Sequence, residues 1–371
     1  MSVDLRIHRR LVEKLEVRGI PRHGAREPTE GVAPSRTRPK DHAMPTPTSE
    51  PSAADLPEVV VVGCGHWGKN LARNFAEIGA LHAVVDPDPE TARKHADSYG
   101  VPALDFEEAL ASSADGIVIA APAPLHAELA SRSLDAGKHT YVEKPIALSV
   151  KEAEDLAAKA EGAGRVLMVG HLLQYHPVFV ELRDRVQAGE LGKLRYAYST
   201  RASMGIFRTQ EDVFWSLAPH DVSMLLALFG EEPVTVRGSG ADFLTPGVVD
   251  EARLDMVFPS GGRAHVFTSW LHPFKEQRLV VVGEDAMAVF DDVAPWEEKL
   301  AIYRHKIDMS GPIPKPERAG AEFITVPVGE PLRSECEAFL DAIRTGEPPY
   351  TDAEEAIRVL RVLDQPALPK A

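Results

Sequence analysis

Two stretches of the chain carry side chains that could exchange a proton with a substrate hydroxyl. The first is Glu143-Lys144-Pro145, which closes a predicted buried strand over residues 140–143. Ligands of open α/β sheets bind beyond the C-terminal ends of the strands, so a lysine at this place points into the ligand crevice. Burial or a neighbouring cation lowers the pKa of a lysine toward neutrality and lets its amine accept protons. Lys144 is therefore a candidate acid–base group, and the alternative is a surface lysine paired with Glu143.

The second stretch runs from Trp215 to Asp221 and ends in Pro-His-Asp. A helix is predicted over residues 221–229, which places His220 near a helix N-terminus, where the dipole disfavours imidazolium and lowers the histidine pKa. A neutral histidine there could exchange a proton with a substrate hydroxyl. Asp221 could cap this helix or hold the histidine in one tautomer. The alternative is that His220 belongs to a plain helix cap.

A glycine-rich stretch could bind the cofactor that such chemistry needs. Residues 59–62 are four valines, typical of a buried parallel strand. Gly63, Gly65 and Gly68 follow at the spacing G-x-G-x-x-G, before a predicted helix over residues 67–78. Gly63 would allow the tight turn, Gly65 the approach of backbone to a pyrophosphate, and Gly68 the close packing of helix on strand. The pattern predicts a dinucleotide site.

Asp86 indicates which dinucleotide would bind. It ends a predicted strand over residues 81–86 and lies 18 residues after Gly68, close to the roughly 20 residues expected for an acid that contacts the ribose. A carboxylate accepts a hydrogen bond from a ribose 2′-hydroxyl and repels a 2′-phosphate, which favours NAD over NADP. The alternative is an ordinary strand–helix turn whose acid caps another element. Pro122 and His126 follow a strand over residues 116–120 and could border the nicotinamide, with capping or packing as the alternative for His126.

The elements that must position these residues fall into two groups. Strands and helices alternate through the first group, which predicts a doubly wound parallel sheet of the Rossmann type over residues 57–172. Its predicted strands cover residues 59–63, 81–86, 116–120, 140–143 and 166–170, and its helices cover 67–78, 89–99, 105–112, 124–136 and 149–161. Residues 173–371 are β-rich between 234 and 303, with a hairpin at Gly261-Gly262. They predict an α+β domain with a large, mostly antiparallel, open-faced sheet. Its C-terminal helices, over residues 332–344 and 353–363, are candidates to pack back on the first domain.

Composition excludes several classes of function. The chain has 371 residues with a formal net charge of −15, which argues against nucleic acid or an anionic membrane as a partner. No run approaches about 18 consecutive apolar residues, so no membrane-spanning helix is expected. The two cysteines, Cys64 and Cys336, and the lack of a ligand cluster predict a cytoplasmic protein without a structural disulfide or a metal site. Residues 1–56 are rich in proline and small polar residues and are predicted to be a disordered or weakly ordered extension.

The glycine loop, the Glu-Lys-Pro motif and the downstream histidine, in this order, resemble the glucose–fructose oxidoreductase/inositol dehydrogenase (Gfo/Idh/MocA) family over residues 57 to about 365. The resemblance implies a Rossmann domain that binds NAD(P) and a sheet domain that supplies the substrate pocket and the contacts of a homo-oligomer, a dimer or a tetramer. It implies that Lys144 and His220 act on the substrate hydroxyl.

The family often has an aspartate four residues before this histidine, where this chain has Ser216. That departure implies proton relay mainly through Lys144 and His220, with Asp221 as a candidate helper. The residues expected to bind the NAD cofactor are Gly63, Gly65, His66, Trp67, Gly68, Asp86, Pro122, His126 and Glu143.

Within the family, the stretches 170–177, 189–192 and 215–221 resemble nucleotide-sugar enzymes of the UDP-N-acetylglucosamine 3-dehydrogenase type. Arg201 and Arg208 could bind a diphosphate through their guanidinium groups. The alternative is surface pairing with Glu211 or Asp212. The candidate substrate contacts are Tyr175, Arg201, Arg208, Trp215 and Asp221.

The predicted function is NAD-dependent oxidation of a secondary alcohol of a nucleotide sugar to the keto sugar, at C3 of UDP-N-acetylglucosamine or a relative. One alternative is a dehydrogenase of a free sugar or polyol such as inositol, which would use the same machinery. Another is a non-catalytic NAD-binding regulatory protein, which Ser216 in place of the aspartate keeps open.

Overall fold

The computed structural model describes residues 56–205, 207–208 and 211–365. The predicted extension over residues 1–56 lies outside the described residues, apart from Leu56. Two sheets organise the described part of the chain, one of five strands and one of eight. In this part of the chain, no helix is both long enough and apolar enough to cross a membrane.

The first sheet is parallel and has the order β2-β1-β3-β4-β5. Its strands are β1 (Val59–Val62), β2 (Leu81–Val85), β3 (Gly116–Ile119), β4 (His139–Glu143) and β5 (Leu167–Gly170). The order reverses between β1 and β3, which is where a doubly wound sheet opens a ligand crevice at its C-terminal edge. The glycine loop, Pro122 and Lys144 follow β1, β3 and β4, so all three reach this edge.

Five helices cover this sheet, and three of them have a side-chain N-cap. They are α1 (Gly68–Ile78), α2 (Pro89–Tyr99), α3 (Phe106–Ala111), α4 (His126–Asp135) and α5 (Val150–Ala163). Asp88 and Ser149 cap the amides of α2 and α5, and Asp105 forms a capping box with Glu108 at α3. Such caps satisfy amides that the helix itself leaves unpaired. The predicted doubly wound sheet is confirmed.

The second sheet is mostly antiparallel and has the order β15-β12-β11-β10-β6-β9-β8-β7. Its strands are β6 (Leu194–Met204), β7 (Thr235–Ala241), β8 (Glu251–Val257), β9 (Arg263–Ser269), β10 (Leu271–Gly283), β11 (Met287–Asp291), β12 (Leu300–Tyr303) and β15 (Ala321–Phe323), while β13 (Lys306–Asp308) and β14 (Lys315–Glu317) pair separately. The pair β6–β9 is parallel, and the Gly261-Gly262 turn joins β8 and β9 in the predicted hairpin. One face of this sheet packs on the core, and the other leaves Tyr196 and Tyr198 exposed. The predicted α+β class with a large open-faced sheet is confirmed.

Helices α6 (Pro177–Gln187) and α7 (Val213–Phe229) pack in the core beneath the second sheet. The prediction that α7 begins at Asp221 is wrong, since the helix starts two turns earlier. Asp212 is its N-cap and accepts a hydrogen bond from the Trp215 amide at 2.9 Å. Pro219 lies inside the helix, where a proline normally ends one because it has no amide hydrogen to donate. Burial of the apolar residues on both sides of Pro219 keeps the helix continuous.

The last two helices, α8 (Pro331–Thr345) and α9 (Ala353–Asp364), return to the first sheet. Phe339 of α8 is buried in the core with Val61 and Phe75. Leu360 of α9 packs in the core that contains Val142 on the other side of the sheet. The C-terminal end of the chain therefore helps to cover both faces of the nucleotide-binding sheet.

Candidate active site

The glycine loop between β1 and α1 leaves its backbone open to a ligand. Gly63 has φ +90°, and a Cβ there would lie 2.8 Å from the Ala120 carbonyl oxygen. A Cβ on Gly68 would lie 1.7 Å from the Gly63 oxygen, so only glycine permits this closeness of turn and helix. A Cβ on Gly65 would meet no atom within 4 Å. The loop therefore presents an unobstructed backbone at a helix N-terminus, as the binding of a pyrophosphate requires.

Asp86 is held beside this loop at the end of β2. Its Oδ2 accepts a hydrogen bond from the Cys64 amide at 2.7 Å, and its Oδ1 accepts one from the Asp88 amide at 2.9 Å. The side chain is half-buried at the crevice. In a sheet of this type, an acid at the end of the second strand is where the ribose of a dinucleotide is expected. The loop and this carboxylate together fit NAD.

Trp67 and Glu143 join the glycine loop to the end of β4. The Trp67 indole Nε1 donates to Glu143 Oε1 at 2.5 Å, and the Tyr141 hydroxyl donates to the same oxygen at 3.1 Å. Burial raises the pKa of Glu143, and its contacts with Trp67 and Lys144 oppose that rise. His66 is exposed on the outer side of the loop. These contacts bring the predicted cofactor residues of β1 and β4 to one edge.

His126 and Pro122 have different positions at the crevice. His126 is buried, with Nδ1 2.7 Å from the Pro145 oxygen and Nε2 2.7 Å from the Ala121 oxygen. Both ring nitrogens thus face backbone carbonyls, which ties the loops after β3 and β4 together. Burial lowers the pKa of this histidine. Pro122 is exposed, so of the two it is the residue free to border a cofactor.

Lys144 crosses from the first sheet to helix α7. Its Nζ donates to the Ser216 carbonyl oxygen at 2.9 Å and lies 4.0 Å from Glu211 Oε1. The side chain is 16% exposed. Burial lowers the pKa of Lys144, Glu211 and Glu143 oppose this shift, and two arginines add to it. The geometry therefore supplies an amine that loses its proton more readily than an ordinary lysine.

His220 lies in the middle of α7, one turn after Ser216. The prediction that His220 lies at a helix N-terminus is wrong. The helix dipole is therefore not the cause of its lowered pKa. Burial lowers the pKa of His220 well below its ordinary value, and the nearby charges of Lys144 and Arg201 lower it further. Its Nδ1 is buried and has no hydrogen-bond partner among the described residues. The ring is therefore a neutral imidazole next to the Lys144 amine.

Capping α7, one of the two roles predicted for Asp221, is wrong, because Asp212 is the N-cap of that helix. Asp221 is fully buried, and its two oxygens accept from Arg201 Nε at 2.8 Å and Nη2 at 3.2 Å. The Ser199 hydroxyl also donates to it. Arg201 is itself only 8% exposed. The pair braces α7 against β6, so neither side chain is free for a substrate as the molecule stands.

The other predicted substrate contacts are dispersed. Arg208 is half-exposed and pairs with Glu211 at 2.7 Å, which is the alternative that sequence reasoning left open for it. The Tyr175 hydroxyl is buried against Thr351 at 3.1 Å and does not face the crevice. Trp215 is half-buried between the core of the first sheet and that of the second.

Sequence reasoning missed two groups that contact Lys144. One is the Ser216 carbonyl. Because α7 was predicted to begin at Asp221, Ser216 was expected in the loop before the helix. The other is Glu211, which the sequence suggested only as a surface partner for Arg201 or Arg208. A usable signal was Asp212, since an aspartate three residues before Trp215 at the start of a long apolar run is a typical helix N-cap.

Comparisons with known proteins agree with this architecture. A model of the oxidoreductase family with an NAD-binding Rossmann fold matches residues 58–171, and a model of the Gfo/Idh/MocA C-terminal domain matches residues 179–289. The chain is 31% identical over 301 residues to UDP-N-acetylglucosamine 3-dehydrogenase from Acidithiobacillus ferrooxidans, a match covering 81% of this chain and 93% of that protein. A solved structure of that enzyme has a TM-score of 0.74 at 30% identity, covering 83% of this chain and 95% of that one.

A second relative acts on a different kind of alcohol. Myo-inositol dehydrogenase Hyg17 from Streptomyces leeuwenhoekii is 33% identical over 207 residues, covering 54% of this chain and 64% of that protein. The glycine loop, the crevice lysine and the agreement of both domains with the family models establish the relationship. The chain belongs to the Gfo/Idh/MocA family of NAD-binding oxidoreductases.

Proposed function

We propose that this chain oxidises a secondary alcohol of a nucleotide sugar, at C3 of UDP-N-acetylglucosamine or a close relative, with Lys144 and His220 acting on the hydroxyl. A bound NAD would supply the acceptor for the hydride of the carbinol carbon. The observation that carries the proposal is the Lys144 amine, buried at the end of β4 and held against α7 one turn before His220. The NAD-binding loop ends at the same edge of the sheet.

Lys144 takes the hydroxyl proton in this proposal. A neutral amine has two hydrogens and one lone pair. One hydrogen is donated to the Ser216 oxygen at 2.9 Å, which leaves the second hydrogen and the lone pair in the two remaining tetrahedral directions. The lone pair then accepts the proton of the alcohol, and the resulting ammonium is stabilised by the Glu211 carboxylate at 4.0 Å. A positioned proton acceptor of this kind is worth about 10²–10⁴ in rate.

His220 orients the same hydroxyl. Its pKa lies well below the ordinary histidine value, so the ring is neutral where the lysine changes charge. Since Nδ1 is the buried ring nitrogen, contact with a substrate falls to Nε2. A second polar contact to the hydroxyl would hold its carbon in place for hydride transfer.

A nucleotide sugar is favoured as the substrate by two observations. Of the two relatives described above, UDP-N-acetylglucosamine 3-dehydrogenase matches the larger part of this chain, and the match covers 93% of that enzyme. Arg208 is half-exposed and its partner, Glu211, is 28% exposed, so the Arg208 guanidinium could turn to a diphosphate. An inositol-like polyol is the alternative, because Hyg17 is equally similar over a shorter stretch.

The proposal includes a cytoplasmic homo-oligomer, a dimer or a tetramer. Cys64 and Cys336 are both free and buried in the structure, as is usual for proteins of reducing compartments. The second sheet leaves one face uncovered, with Tyr196 and Tyr198 exposed. Size-exclusion chromatography with light scattering would give the oligomeric state directly.

Replacing Lys144 with alanine tests the catalytic assignment. Lys144→Ala should lower the rate of NADH formation by at least about 100-fold, because the proton acceptor is lost. NAD affinity, measured by calorimetric titration, should stay within about threefold of the parent, since the lysine does not form the glycine loop. Lys151→Ala is the matched control, because Lys151 is exposed and pairs with Asp155 on its own helix. A Lys144→Ala variant with parental turnover would refute the assignment.

A further inference from the structure

Two carboxylates, Glu211 and Glu143, act on the charge of Lys144. Two more, Asp221 and Asp212, belong to α7 and its N-cap, the helix that the lysine contacts. Three of the four have other partners. Glu143 accepts from Trp67 and Tyr141. Asp221 is held by Arg201. Asp212 caps α7 through the Trp215 amide. Within the described ranges, Glu211 is the carboxylate whose oxygen comes within 4.0 Å of the lysine Nζ.

Glu211 is well placed to control this lysine. It directly precedes the N-cap residue of α7, so the start of the helix fixes its backbone. Its side chain is 28% exposed and lies between two cations, with Oε1 4.0 Å from Lys144 Nζ and Oε2 2.7 Å from Arg208 Nη1. The Ser216 oxygen contacts the same Nζ at 2.9 Å. The amine is thus contacted by one backbone carbonyl and one carboxylate, and both belong to the beginning of helix α7.

We infer that Glu211 is a positioning residue for Lys144, which keeps the amine at the mouth of the crevice and sets how readily it releases and accepts a proton. The inference rests on the proposed role of Lys144 in alcohol oxidation. Glu211 touches neither a reacting atom nor the nicotinamide in this scheme. It acts through its charge on the lysine.

The sign of the effect follows from the charges that face the amine. Burial, Arg208 and Arg201 lower the pKa of Lys144, whereas Glu211 and Glu143 raise it. The two nearby histidines, His126 and His220, have lowered pKa values themselves, so both are uncharged where the lysine titrates. Removing the Glu211 charge therefore lowers the pKa of Lys144, and the neutral amine becomes available at lower pH.

The test is the pH dependence of kcat for NADH formation with UDP-N-acetylglucosamine. Oxidation needs the neutral amine, so the rate should rise with pH through the lysine pKa. Glu211→Gln should move this rising limb about one unit to lower pH. A merely structural role would lower kcat at every pH and leave the limb in place. If kcat of Glu211→Gln rose with pH over the same range as kcat of the parent, the inference would be overturned.

Glu190→Gln is the matched control. Glu190 is also partly buried and also bridges two cations, Arg185 and Arg304, but it is not among the charges that shift the pKa of Lys144. Its replacement should leave the limb where it is in the parent. A shift of equal size in Glu190→Gln would show a general loss of negative charge and would also overturn the inference.

A second readout separates this inference from the proposed function. The rate at which acetic anhydride labels Lys144, followed by mass spectrometry of its peptide, reports the neutral amine without any substrate. Glu211→Gln should label faster than the parent at neutral pH, and Glu190→Gln should not. If the parent oxidised no sugar, the proposed function would fail, yet the labelling would still support or refute the pairing of Glu211 with Lys144.

Discussion

At the scale of single residues, burial decides the chemistry of both candidate proton-transfer groups. It lowers the pKa of Lys144 and, much further, that of His220. The histidine therefore stays neutral while the lysine changes charge. The ionisation that limits proton acceptance is consequently that of Lys144, and alcohol oxidation should speed up as pH rises through it.

Gly68 offers the sharpest test of the loop at this scale. Gly68→Ala would place a Cβ 1.7 Å from the Gly63 carbonyl oxygen, so loop and helix must separate. We expect NAD binding to be lost and the free energy of unfolding to fall by about 1–3 kcal/mol, as is usual for an overpacked site. Calorimetric titration with NAD and urea unfolding measure the two effects.

Gly162→Ala is the matched glycine replacement. Gly162 lies inside α5, and a Cβ there would meet no atom within 4 Å. Alanine should leave NAD binding unchanged and stabilise the helix by about 0.5–1 kcal/mol. If Gly68→Ala bound NAD as the parent does, the close approach of turn and helix would not be what shapes the site.

At the scale of elements, the sequence predicted the parallel sheet well because most of its strands and helices carry local signals. Apolar, β-branched runs such as residues 59–62 mark strands, and Asp88, Asp105 and Ser149 cap three of the helices. Helix α7 was misplaced because Pro219 normally ends a helix. The helix continues through Pro219 because the residues on either side of it are buried. Such burial depends on contacts with distant parts of the chain.

A buried polar network joins three elements around the candidate site. His171 after β5 lies 2.5 Å from Glu355 Oε2 of α9, and Ser223 of α7 donates to the other oxygen at 2.6 Å. Glu355→Ala would leave both partners buried without an acceptor. The free energy of unfolding should fall by about 3 kcal/mol, measured by urea denaturation.

An exposed ion pair between α9 and α5 provides the comparison. Arg361 and Glu154 are 2.7 Å apart, and both side chains are nearly half exposed. Solvent screens such pairs, so Glu154→Ala should cost no more than about 1 kcal/mol. Equal losses in Glu355→Ala and Glu154→Ala would mean that the buried network does not hold α7 and α9 together.

At the scale of the whole molecule, Lys144, which follows β4 of the first sheet, binds Ser216 of the helix that packs on the second, and its charge acts on His220 of the same helix. The sequence contained the separate motifs and, through their order, the family. It did not contain the pairing of Arg201 with Asp221, since two residues twenty positions apart reveal their contact only once β6 and α7 are packed. For the same reason the role of Arg201 as a substrate contact could not be tested before the fold was known.

The nature of the substrate is the central claim at this scale. If Arg208 binds the diphosphate through charge-assisted hydrogen bonds, the nucleotide part contributes about 1.5–3 kcal/mol, or roughly 10- to 100-fold in kcat/KM. Free sugars and polyols lack that contact. The preference should therefore appear in the specificity constant, whichever carbon is oxidised.

The most direct test is the initial rate of NADH formation with UDP-N-acetylglucosamine, free N-acetylglucosamine and myo-inositol, each with an amine that traps the ketone product. We predict that kcat/KM for the nucleotide sugar exceeds both others by at least about tenfold. An equal or higher value for myo-inositol, or NAD binding without NADH formation from any of the three, would contradict the account.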